Sequence, residues 1–191
     1  MDIFRFGCTK IKFKLGNTRI CPSKLQESIN FASMKISLFV VGKTVDKHLN
    51  SLIEEYTQRI GHYTPFDITI FPDIKSSKSM PPSVIKEKEG SLLLQNIRPG
   101  DCIILLDERG KEYRSVEFSS FLSHQFNLSH RRLVFIIGGA YGFSQEVYDK
   151  SQFMLSLSRM TFSHQMVRLI FIEQLYRALT ILAGEPYHHE G

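Results

Sequence analysis

"MKISLFVVGKTVDKHLNSLIEEYTQRI", residues 34–60, changes its hydrophobic period in the middle. Lys35 to Val41 is a short β-branched apolar run ending at Gly42, as expected of a strand buried on both faces. From Asp46 to Ile60, Leu49, Leu52, Ile53, Tyr56 and Ile60 recur at helical spacing, so they share one face of a helix. A buried strand followed at once by an amphipathic helix is a βα unit. The same alternation continues downstream. Phe66 to Phe71 reads as a second strand, and Pro81 and Pro82 suit the first turn of a helix running to about Ile97. Cys102 to Leu106 reads as a third strand, closed by a turn at "DERGK". Ser115 is placed to cap a helix through Phe126, and "LVFII" (133–137) is a fourth strand running into "GGAYG". Ser144 is placed to cap a short helix, "FMLSL" (153–157) is a weaker fifth strand, and His164 to Leu182 is a long helix stopped by Gly184 and Pro186. This order predicts an α/β domain with a mainly parallel sheet and helices on both faces.

The 191 residues suffice for one well-cored domain, and no apolar run reaches the length of a membrane span. The net charge of +5 is unevenly placed: residues 1–33 hold six basic and two acidic side chains, so the remainder is close to neutral. Bulk charge therefore says little about what the main domain binds. Residues 1–33 also lack a sustained period; of a transit-like extension and a disordered tail added by an upstream start, we expect the tail, with the domain spanning 34–191. Cys8, Cys21 and Cys102 form no C-x-x-C pair, which argues for a reducing compartment without structural zinc.

In parallel sheets ligands sit beyond the carboxyl ends of the strands, which directs attention to "LLDERGK", "IIGGAYGF" and "SLSRMTFSHQ". Gly138, Gly139 and Gly142 leave backbone bare for a close approach, but neither G-x-G-x-x-G nor a Walker loop is present. A tight strand-to-helix turn is the plainer reading, and a phosphate-binding enzyme the weaker one. Asp107 and Glu108 read as a solvated turn rather than a paired-carboxylate site. His188, His189 and Glu190 lack metal-ligand spacing, and no G-x-S-x-G elbow occurs, so no metal and no serine nucleophile are expected.

The last helix is apolar around most of its circumference, which suggests a second copy packed against it. Among its polar residues Glu173 and Arg177 are spaced to pair with each other, whereas Arg168 has no local acid.

Four segments, "LLDERGK", "FIIGGAYGF", "LSLSRMTFSHQMVRLIFIEQLYRA" and "PYHHE", resemble in order and spacing the ribosomal RNA large-subunit methyltransferase H family of the SPOUT class. The resemblance covers residues 34–190. It implies a homodimer with a C-terminal trefoil knot, acting in the cytoplasm on 23S rRNA within the ribosome. The implied reaction moves a methyl group from S-adenosylmethionine to N3 of a pseudouridine, with no metal. The implied cofactor contacts are Leu106, Gly138, Gly139, Leu157, Ser158, Arg159, Met160, Thr161 and Phe162. Arg177, Tyr187 and His188 match positions near the target base, and His164 and Arg168 would support the site or the RNA backbone. The alternative is a ribosome-binding accessory protein that keeps this fold without turnover.

Overall fold

A computed structural model of the chain describes residues 34–74 and 80–186. Residues 1–33, Tyr187 and His188 lie outside the described residues. Five strands, β1 (Lys35–Val41), β2 (Phe66–Phe71), β3 (Asp101–Glu112), β4 (Arg132–Ile137) and β5 (Phe153–Ser156), form one sheet in the order β2-β1-β4-β3-β5. Every pairing is parallel. Five helices connect them: α1 (Lys47–Gly61), α2 (Pro82–Leu94), α3 (Ser115–Phe126), α4 (Gln145–Lys150) and α5 (Met166–Leu182).

Strand alternation builds two cores. Ile36, Leu38 and Val40 of β1, with Leu133, Phe135 and Ile137 of β4, face Phe118 and Leu122 of α3 and Phe171, Ile172 and Leu175 of α5. Phe39, Val41, Val134 and Ile136 face the other way, toward Leu93 of α2 and Val147 of α4. A sheet covered on both faces needs nearly continuous apolar strands, and the central strands come close: Ser37 of β1 is buried too, its hydroxyl donating to Asp67 at 2.8 Å. On the first face α5 lies between α1 and α3; on the second, α2 meets α4.

The element boundaries depart from expectation at instructive places. Asp46, expected as the first residue of the helical run, instead caps α1, its carboxylate accepting from the N–H groups of Leu49 (3.0 Å) and His48 (2.8 Å), which holds it below the usual range. Ser115 is instead the first helical residue of α3: Arg114 occupies the cap, and its N–H donates to Glu117 at 2.9 Å. Ser144 does cap α4 but makes no side-chain cap bond. The long helix starts at Met166 rather than His164.

The largest correction concerns "DERGK". Asp107 to Lys111 continue β3 instead of closing it, with a register shift that sets both Leu106 and Lys111 opposite Leu155 of β5. A bulge of this kind bends the strand and redirects side chains. Gly110 makes it possible, because a Cβ there would lie 2.6 Å from the Leu155 backbone.

Candidate active site

The carboxyl ends of β3, β4 and β5 open onto a cavity of about 590 Å³, a size suited to a cofactor-scale ligand. The bulged stretch of β3, two loops and one helix wall it. From β3 come Leu106, Asp107 and Arg109; from β4, Gly138 to Phe143; from β5, Leu155 to Ser158 with Met160, Thr161 and Phe162; from α2, Lys86. His164 and Val167 close the end where α5 begins.

The glycine loop is shaped by what surrounds it. The Gly142 N–H donates to the Gly139 carbonyl at 3.1 Å, and Gly142 takes φ +78°, a conformation that disfavours side chains. A Cβ at Gly138 would meet the Phe143 ring at 3.0 Å, and one at Gly139 would meet the Glu89 carboxylate at 2.3 Å. The absence of side chains therefore lets α2 and Phe143 press against the loop while its other side lines the cavity.

In the loop after β5 the hydroxyls serve the chain itself. Ser156 Oγ donates to the Ser158 carbonyl at 3.1 Å, and Ser158 Oγ accepts the Met160 N–H at 2.9 Å. These bonds hold the backbone open toward the cavity. Met160 stands 77% exposed at its rim, an apolar side chain that a bound ligand would cover.

Asp107 is not the solvated acid expected from its neighbours. Its side chain is largely shielded and accepts from the Tyr148 hydroxyl at 2.5 Å, from the Arg109 N–H at 2.9 Å and from Arg109 Nε at 3.1 Å. Burial pushes the Asp107 carboxyl up, and these donors outweigh it, leaving it below the usual carboxylate range. The same contact, after burial, raises the Tyr148 phenol. The Arg109 guanidinium also sits over the Tyr148 ring, 4.7 Å from its centroid. Sequence spacing could not reveal this cluster, because Asp107 and Tyr148 are 41 residues apart.

Of the expected cofactor contacts, the structure gathers Leu106, Gly138, Gly139, Leu157, Ser158, Met160, Thr161 and Phe162 around the one cavity. Arg159 is turned away: its side chain is 91% exposed and pairs with Glu112 at 3.4 Å. Arg168, expected to support the site or the RNA backbone, turns its guanidinium into its own chain. It is buried, with Nη2 donating to the Val41 carbonyl at 2.7 Å and Nη1 to Thr44 Oγ1 at 2.8 Å. Beside it Gln165 Oε1 accepts the N–H groups of Val45 (2.8 Å) and Asp46 (3.1 Å). The start of α5 thus grips the loop after β1, and Arg168 acts as a brace. Arg177 pairs with Glu173, the local pairing their spacing allowed, and lies ten residues beyond Val167, about 15 Å along the helix. It does not line the cavity of its own chain. Among the described residues no group of three or more His, Cys, Asp or Glu side chains could hold a metal ion.

A sequence model described as "Predicted SPOUT methyltransferase" matches residues 34–188. Proteins named ribosomal RNA large subunit methyltransferase H are similar over 157 residues, 82% of this chain and all of each relative: 53% identical in Phocaeicola vulgatus, 54% in Bacteroides fragilis and 54% in Flavobacterium johnsoniae. With a match that spans the whole sheet and every wall of the cavity, the chain belongs to the ribosomal RNA large-subunit methyltransferase H family of SPOUT methyltransferases.

Proposed function

We propose that the protein is an S-adenosylmethionine-dependent methyltransferase that methylates N3 of a pseudouridine in 23S rRNA. The observation that carries this reading is the convergence of eight of the nine expected cofactor residues on one cavity at the carboxyl edge of the sheet. The walls suit the ligand chemically. Leu106, Leu157, Met160 and Phe162 supply apolar surface for a planar base, while Gly138, Gly139 and the serine-bearing loop present backbone donors and acceptors to its edges. The bound cofactor would supply an already activated methyl group, so no metal is needed.

The protein's contribution is to hold the target nitrogen within reach and to favour loss of its imide proton. In our reading Arg177, Tyr187 and His188 do this, and His164, on the cavity wall, supports the RNA. Arg177 stands too far along α5 to serve the cavity of its own chain. We therefore assign it to the site of a second copy, packed against the half-buried side of α5 as a homodimer, with the knotted topology of the family in each C-terminal half. The enzyme would work in the cytoplasm, on the ribosome, through local shape and basic patches rather than bulk charge.

The test is mass analysis of 23S rRNA from a deletion strain. Loss of one methyl group from one pseudouridine, restored by the wild-type chain, supports the reading; unchanged rRNA leaves an accessory protein without turnover. Arg177→Ala and His188→Ala should lower methylation at least tenfold while changing cofactor affinity less than threefold. Equal losses in both would place these residues at the cofactor instead.

A further inference from the structure

Glu89 is a buried acid that the reading above does not use. It is only 6% exposed, it accepts a backbone N–H from Ile74, its Oε2 has no hydrogen-bond partner among the described residues, and a second carboxylate, Asp73, adds repulsion. An ionised carboxylate in such a place is costly unless something cationic compensates it. Among the described residues no cation pairs with it, yet the fold aims the group at the cavity wall. A Cβ at Gly139 would fall 2.3 Å from Oε2 and 3.0 Å from Oε1, so the carboxyl rests directly on Gly139, which itself lines the cavity. Lys86, one turn earlier on the same side of α2, reaches the cavity too. Only the bare backbone of one glycine separates the acid from the cavity.

We propose that Glu89 is a specificity-determining residue, whose negative charge behind Gly139 makes the cavity prefer a sulfonium ligand to its neutral thioether. The proposal rests on reading the cavity as an S-adenosylmethionine site. The other acid on that wall, Asp107, is already engaged by Arg109 and Tyr148, so its charge is balanced within the protein. Glu89 has no cation partner among the described residues, and a buried charge is screened less than one in water. The two forms of the cofactor differ at sulfur by one charge and one methyl group. The thioether left after transfer lacks the charge that Glu89 attracts, so the same residue favours release of the spent cofactor.

Isothermal titration of the full-length chain with S-adenosylmethionine and S-adenosylhomocysteine, on wild type, Glu89→Gln and Glu89→Asp, tests this. Wild type should bind the sulfonium more tightly. Glu89→Gln, nearly the same shape without the charge, should weaken sulfonium binding about tenfold and leave thioether binding within twofold; Glu89→Asp should retain part of the preference. Equal weakening of both ligands would make Glu89 a structural support and overturn the proposal, as would no change in either. A wild-type protein that holds both ligands equally overturns it without any variant, which covers the case of a Glu89→Gln chain that does not fold. Wild type binding neither ligand would instead remove the cofactor reading itself, and the proposal with it.

Discussion

The sheet buries a charged side chain on each of its faces and treats the two differently. Arg168, on α5, spends two of its three guanidinium nitrogens on Val41 and Thr44, tying the helix to the loop after β1. Glu89, on α2, accepts a backbone N–H from Ile74 but leaves Oε2 unpartnered against the glycine loop, with Asp73 adding repulsion. Burial disfavours the charged form of both, lowering Arg168 and raising Glu89 from their usual values. Each leaves one buried atom without a partner among the described residues, Arg168 Nε and Glu89 Oε2, so what separates them is direction: Arg168 turns its bonds inward as a brace, and Glu89 faces the wall of the cavity.

Breaking the brace should have the largest effect. Arg168→Ala removes the donors that Val41 and Thr44 rely on and opens a cavity, so we expect a loss of about 3 kcal/mol, read as a lower urea midpoint at unchanged slope. A loss below about 1 kcal/mol would mean that water replaces the guanidinium and that the two buried charges are alike.

An uncharged control comes next. Gly110→Ala sets a methyl against the Leu155 backbone where β3 bulges, and should cost about 2 kcal/mol by overpacking alone. Its effect should not change with pH, unlike those of the acids.

The smallest effects are the most discriminating. In the ligand-free protein Glu89→Gln should raise stability at neutral pH by about 1 kcal/mol, since it removes an uncompensated buried acid. The sign follows from its raised pKa: the wild-type fold binds the proton more tightly than the unfolded chain does. Stability from Glu89 is therefore full below its unfolded value of about 4.3 and declines as pH rises through the folded value. Asp107→Asn should behave oppositely. The Asp107 carboxyl is held low, so its contribution, about 1 kcal/mol, is present above its unfolded value of about 3.9 and fades as pH falls through the folded one. Urea unfolding of wild type and both variants from pH 4 to pH 8 checks the pair; parallel curves would erase the distinction between balanced and unbalanced acids.

Most of the fold was legible because its signals are local. β1 and β2 match their expected limits, and the helices fall within a few residues of theirs, because hydrophobic period depends on neighbours in the chain. The glycine loop and the loop after β5 were also legible as site elements, since ligands gather at strand ends. Boundary errors at Ser115 and His164 were local and small, and the readings that missed the site's chemistry depended on distant partners. Asp107 to Lys111 looked like a turn because nothing nearby shows that β5 will pair with it. Arg168 looked free because its acceptors lie more than 120 residues earlier. Glu89 carried no signal in an ordinary run of lysines and glutamates; only packing of α2 on Gly139 distinguishes it.

By itself, then, the sequence determined the succession of strands and helices along the chain and the loops where ligand chemistry belongs, because periodicity and backbone preference are properties of short stretches. Tertiary structure alone decided which charges are balanced. The energy of a buried charge depends on which groups the fold brings within a few ångströms, and neither Glu89 nor Arg168 finds those groups beside it in the chain.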